Sequence, residues 1–179
     1  SKLPVLLFVG NFSWLQNREA VGFLIEKIWP NVKAKIQNAQ LLIVGRNPSD
    51  GIKSLVRKFK VQLESKVDDI RDAYAKSDVM IAPIFGPGGT RYKILEAMAS
   101  SLPVVTTEMG AEGLPVTHQE HILIANDENS LIAQTTKLLK NEKLRSKISQ
   151  NAKLLVQREF DWKQISAKLD KLYKSVGAS

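Results

Sequence analysis

The chain has 179 residues, no cysteine and a formal charge of +8, with 44% hydrophobic and 25% charged residues. That length and balance suit one globular domain with a sizeable core, and no apolar run reaches the roughly 20 residues of a membrane-spanning helix. The absence of cysteine excludes disulfides, thiolate metal sites and cysteine nucleophiles, and fits a reducing cytoplasm.

Residues 3–9, "LPVLLFV", form a continuous apolar run that stops at Gly10, the pattern of a strand buried on both faces. Ala20, Val21, Leu24, Ile25 and Ile28 then recur at helical spacing. Pro30, which has no amide to donate, is expected to break or restart that helix. "QLLIVG" (40–45) is a second buried strand ending at glycine, and 50–59 suits a short helix. "VQLE" (61–64) alternates like a strand, and Asp68 or Asp69 can cap a helix over 69–76. "DVMIAPI" (78–84) reads as a strand and 90–100 as a helix. "PVVTT" (103–107) and "ILIA" (122–125) supply the last strands, and two or three helices fill 127–175.

Strand and helix alternate about six times. The fold class is therefore α/β: a Rossmann-like, doubly wound parallel sheet of about six strands with helices on both faces and a helical C-terminal segment. No internal repeat, low-complexity stretch or Pro/Gly/Ser-rich linker divides residues 1–179, which read as a single domain. In such sheets ligands bind at the carboxyl ends of the strands. The loops to examine are 10–17, 45–50, 65–68, 85–90 and 107–113.

The charge is uneven. Residues 131–179 carry 11 Lys or Arg against 4 Asp or Glu, a net of +7. A solvated lysine face on the terminal helices explains this; attraction to an anionic membrane surface or an acidic partner is the functional alternative. Nucleic acid is not expected, because few aromatics interleave with the basic residues.

Three of the chain's 10 glycines fall within four residues, in "GPGGTRYKILEAMASSLPVV" (86–105). Gly88 and Gly89 allow positive φ and close approach of a ligand to the backbone. Thr90 suits an N-cap, and a helix N-terminus there would present unpaired amides to a phosphate. Arg91 and Lys93 add cations. Ile94, Leu95 and Met98 form the core-facing stripe, while Lys93, Glu96 and Ser100 share another. A turn, a cap and a Lys93–Glu96 surface pair would explain the same residues. Neither the P-loop spacing nor the dinucleotide fingerprint is present.

The stretch "GPGGTRYKILEAMASSLPVVTTEMGAEGL" resembles the signature region of retaining glycosyltransferases with two facing Rossmann-like domains, the GT-B fold of family 4 type. "LFVGNFSWLQNREAVGFL", "LLIVGRNP", "VDDIRDAYAKSDVMIAPI" and "FDWKQI" resemble successive landmarks of the C-terminal domain of such enzymes. The resemblance implies a donor-binding half, with the acceptor-binding N-terminal domain missing and no catalysis by this chain alone. Its substrate would be a nucleoside diphosphate sugar, linked to UDP, GDP or ADP, with no cofactor and no metal. The site would be cytoplasmic, at the inner membrane face if the basic segment meets lipid. Residue by residue, it implies that Glu96 holds the ribose hydroxyls. The backbone of Gly89, Thr90 and Arg91 would receive the diphosphate, and Gly88 and Lys93 are counted with the donor site. Gly10 and Asn11 would approach the donor, with Arg18 a phosphate cation. Arg46, Lys66 and Val67 would border the base. Many relatives carry a further glutamate at the position of Gly88, where it touches the transferred sugar; here that contact would fall to backbone amides or another side chain.

His118 and His121 lack any metal-binding pattern. Glu112 reads as fixing its loop rather than as a base. Trp14 could line the cleft or pack against another domain, whereas Trp29 and Trp162 read as core or docking residues. A non-catalytic nucleotide-binding or interaction module of the same fold is the alternative function, and a GT-B epimerase a more distant one.

Overall fold

The computed structural model describes residues 3–86 and 91–160. Six parallel strands form one sheet: β1 (Val5–Val9), β2 (Gln40–Val44), β3 (Gln62–Glu64), β4 (Val79–Ala82), β5 (Val104–Thr106) and β6 (Leu123–Ile124). Their order is β3-β2-β1-β4-β5-β6. The chain therefore reverses its direction of travel across the sheet between β1 and β4, the place where α/β sheets open a crevice at their carboxyl ends.

The apolar runs are continuous because each strand is covered on both faces. Leu6 and Phe8 of β1, with Leu41, Ile43, Val79, Ile81, Val105 and Leu123, point into one core layer. Leu7, Leu42, Val44, Met80, Ala82 and Val104 point into the other. The first layer is closed by α1 (Leu15–Phe23), α2 (Trp29–Lys35), α3 (Asp50–Lys58) and α7 (Glu128–Lys140). The second is closed by α4 (Ile70–Lys76), α5 (Tyr92–Ala99) and α8 (Glu142–Phe160). A short helix, α6 (Glu108–Ala111), follows β5 with Thr107 as its side-chain cap.

Helix starts follow side-chain chemistry. Ser49 caps α3 by accepting from Ile52 N, and Asp69, rather than Asp68, caps α4 by accepting from Arg71 N. Asp127 and Ser130 form a reciprocal capping box on α7. One expectation is corrected: Arg91, not Thr90, occupies the N-cap position of α5. Of the two outcomes expected at Pro30, the restart is the one found: Leu24–Ile28 form a π-helical turn after α1, and α2 begins at Trp29 with Pro30 in its first turn. The amide proline lacks is one a helix start leaves unused. On α5 the buried stripe is Ile94, Ala97 and Met98, with Leu95 only partly buried.

At the carboxyl end of the sheet, the β1 and β2 loops touch backbone to backbone. A Cβ on Gly45 would lie 1.8 Å from the Gly10 carbonyl oxygen, so only glycine fits there. Gly10 N donates to Val44 O at 3.0 Å, and Phe12 N donates to Arg46 O at 3.0 Å.

Candidate functional site

Four of the sequence-predicted residues, Gly10, Asn11, Arg46 and Val67, line one cavity of about 290 Å³ at the carboxyl ends of β1, β2 and β3. Glu64, Ser65, Asp68 and Ile70 complete its wall. Val9, Val44 and Gly45 also line it, and the close Gly10–Gly45 contact lies where β1 and β2 end. Arg46 is exposed at the rim, and so is Lys66 on the adjoining loop, which does not line the cavity. A second cavity, of about 370 Å³ and more apolar, lies among α1, the end of β4 and the start of α7. Phe23 and Phe85 meet edge to face beside it, and Gly86 stands at its edge.

Lys93, in the first turn of α5, points back at the end of β1. Its Nζ donates to Asn17 Oδ1 at 2.7 Å and to Val9 O at 3.2 Å, and lies 5.5 Å from the centre of the Phe8 ring. Both hydrogen-bond partners are neutral. Burial, and secondarily the Arg91 charge, depress the Lys93 pKa to about 8. Asn17 in turn donates from Nδ2 to Asn11 O at 2.8 Å, so one amide side chain links the cation to the cavity-lining loop. The Cβ a larger residue would bring to position 10 would come 3.0 Å from Asn17 Cγ.

Glu96 lies one turn along α5, and it does not pair with Lys93. It accepts from the Tyr74 hydroxyl at 3.0 Å. Tyr74 is 2% exposed, in the core layer against which Val67 and Ile70 of the cavity wall also pack. Burial, and secondarily the charge of Glu96, push the tyrosine pKa up, so its hydroxyl keeps its proton.

Two of the three predicted arginines, Arg18 and Arg91, are engaged with backbone. Arg18 donates to the carbonyls of Phe12 at 2.8 Å and Ser13 at 2.9 Å, holding the β1–α1 loop. Arg91 donates to Met109 O at 2.6 Å and approaches Glu112 at 3.9 Å, which ties the start of α5 to the end of α6. That contact agrees with a loop-fixing role for Glu112. Gly88, Gly89, Thr90 and Trp162, and "DWKQI" of the closing landmark, lie outside the described residues.

The histidines serve the backbone: His118 Nδ1 accepts from Ile124 N at 2.8 Å and His121 Nδ1 from Thr117 N at 3.1 Å. Among the described residues no group of three or more His, Asp or Glu is placed to hold a metal ion. No described helix is long and apolar enough to cross a membrane. Trp29 is buried in the core, and Trp14 is 64% exposed beside the β1 loop.

Sequence reasoning missed Asn17 and Tyr74. Tyr74 carried a readable signal: it follows Ile70 by four positions on a helix flanked by apolar strands, and a buried tyrosine needs a partner for its hydroxyl. Asn17 carried none, because its partners come from α5 and from the loop before it.

Residues 3–141 match the family model described as Glycosyl transferases group 1. The phosphatidyl-myo-inositol mannosyltransferase of Mycobacterium leprae (strain TN) is 28% identical over 181 residues, covering 97% of this chain and 47% of that protein. The crystal structure of a glycosyltransferase from Rickettsia africae ESF-5 superposes with a TM-score of 0.79 at 20% identity, over 100% of this chain and 49% of that one. The C-terminal domain of a glycosyl transferase group 1 family protein (LpcC) from Francisella tularensis superposes with a TM-score of 0.70 at 20% identity, over 90% of this chain and 88% of that domain. The chain spans about half the length of the curated relatives it matches. With the six-stranded parallel sheet and the signature around α5, these matches place the chain in the group 1 glycosyltransferase family.

Proposed function

We propose that this chain is the donor-binding domain of a retaining glycosyltransferase, and that its cavity takes the nucleoside of a nucleoside diphosphate sugar. The observation that carries the reading is the convergence of Gly10, Asn11, Arg46 and Val67, from three separate loops, on one cavity at the carboxyl edge of the sheet. The base enters between Arg46 and Val67, the ribose hydroxyls are held by Glu96, and the diphosphate lies toward the start of α5. Lys93 supports this placement. A partly buried ammonium whose hydrogen-bond partners among the described residues are a carbonyl and an amide carries a charge that a diphosphate would compensate.

The chemistry proposed for the complete enzyme is transfer of the glycosyl group with retention at the anomeric carbon. The bond between that carbon and the diphosphate oxygen breaks, and the bond to the acceptor oxygen forms on the same face of the sugar. This domain contributes cations and backbone amides that stabilise negative charge on the leaving diphosphate. The acceptor site belongs to an N-terminal domain, so residues 1–179 alone bind the donor without turning it over. With Gly88 at the position of a sugar-contacting glutamate, the sugar hydroxyls fall to backbone amides or to another side chain.

Titration calorimetry of the chain with UDP, GDP and ADP tests the reading. One of the three binds, and Glu96→Ala weakens it at least about 10-fold, the effect of losing hydrogen bonds to a charged acceptor. Binding of none would overturn the donor site, and unchanged binding by Glu96→Ala would overturn the ribose role.

A further inference from the structure

We propose that Tyr74 is the positioning residue that presents the Glu96 carboxylate to a vicinal diol, making the site selective for ribonucleotides; this rests on the reading of Glu96 as the ribose ligand. Glu96 is exposed on α5, where an unrestrained glutamate samples many rotamers. It is not unrestrained. The hydroxyl of Tyr74, 22 residues earlier and on a different helix, donates to its Oε2 at 3.0 Å.

The tyrosine ring is fixed by burial, so the direction of that bond is fixed too. An ionised carboxylate accepts along about four lone-pair directions. Tyr74 occupies one and leaves Oε1 and the rest of Oε2 for two adjacent hydroxyls. With its pKa raised by burial, the hydroxyl of Tyr74 stays protonated at neutral pH and remains a donor to Glu96. Val67 and Ile70, which line the cavity, pack against the layer that holds Tyr74. Tyr74 and these two wall residues thus belong to one core layer.

The test is calorimetry of the 179-residue chain with whichever of UDP, GDP or ADP binds, and with its 2′,3′-dideoxy analogue. Tyr74→Phe keeps the ring and removes only the hydroxyl. The expected result is a loss of about 5-fold in ribonucleotide affinity, the value of one hydrogen bond, with dideoxy affinity unchanged. Adding Tyr74→Phe to Glu96→Ala should cost nothing further. The proposal is overturned if Tyr74→Phe binds the ribonucleotide like wild type, or if it loses equally toward both ligands, which marks a merely structural role. If Glu96→Ala itself keeps the preference for ribose, the underlying reading fails and takes the proposal with it. If Glu96→Ala loses that preference and Tyr74→Phe keeps it, the proposal alone fails.

Discussion

Lys93 Nζ donates to Asn17 Oδ1 at 2.7 Å across 76 residues of sequence, joining the first turn of α5 to the first turn of α1. Asn17 passes the connection on to Asn11 through its Nδ2. Removing it in Asn17→Ala leaves the Asn11 carbonyl without this donor and the ammonium with Val9 O alone. The expected cost is about 1 kcal/mol of unfolding free energy, from the loss of partly buried hydrogen bonds. Urea unfolding measures it, and a midpoint equal to wild type would show that the connection carries no stability.

Lys93 also predicts a pH dependence with a definite sign. Its folded pKa of about 8 lies below the ordinary lysine value of 10.5. Between these values the unfolded chain binds more protons than the folded one, so this residue's contribution to stability rises with pH. Below pH 8 its burial as a cation carries the full penalty, about 3 kcal/mol at roughly 1.4 kcal/mol for each tenfold change; above pH 10.5 the penalty is gone. Wild type should therefore gain on Lys93→Met as pH rises from 7 to 10. Paired urea titrations at the two pH values check this, and a constant difference would contradict it. A nucleoside diphosphate that draws on the charged form should bind with proton uptake above pH 8.

The Gly10–Gly45 contact makes two glycines respond oppositely to the same change. Gly45→Ala would place a methyl 1.8 Å from a carbonyl oxygen that the β1–β2 pairing holds in place. It should cost about 3 kcal/mol or more, at the severe end of single substitutions. Gly22, inside α1, has nothing within 4 Å of an added Cβ. Gly22→Ala should stabilise by about 0.5–1 kcal/mol, the helix-propensity gain. Denaturation midpoints of both variants test the pair together.

The strands were legible because they rest on a local pattern. Continuous apolar runs ending at Gly10 and Gly45 are what a strand covered on both faces requires, and the alternation of elements directs attention to the loops that follow. Gly10, Asn11, Arg46 and Val67 lie in those loops, and the family resemblance singled them out; they share one cavity. The internal wiring was not legible. The resemblance implies a phosphate cation at Arg18, and the fold turns its guanidinium onto the carbonyls of Phe12 and Ser13. Lys93 and Glu96 sit three apart on a helix and read as a pair. Each instead finds a partner in another element: Lys93 reaches Asn17 of α1, and Glu96 reaches Tyr74 of α4. Helical spacing says which side chains share a face and nothing about what the neighbouring helix offers them.

The π-helical turn at Leu24–Ile28 resolves a mismatch of periods. Ala20, Leu24, Ile28, Val32 and Ile36 are all buried, a repeat of four residues sustained over 16. A regular α-helix turns about 100° per residue, so each step of four overshoots by about 40°. Four such steps would carry Ile36 about 160° away from the face on which Ala20 sits. The wider turn, with more residues per revolution, unwinds part of that drift and keeps the later positions against the sheet. The segment from α1 to α2 therefore behaves as one long amphipathic surface with a built-in phase correction. Deleting a residue from the turn would shift every downstream contact from Trp29 to Ile36 by one position, while the glycine-bounded strand that follows stayed in place.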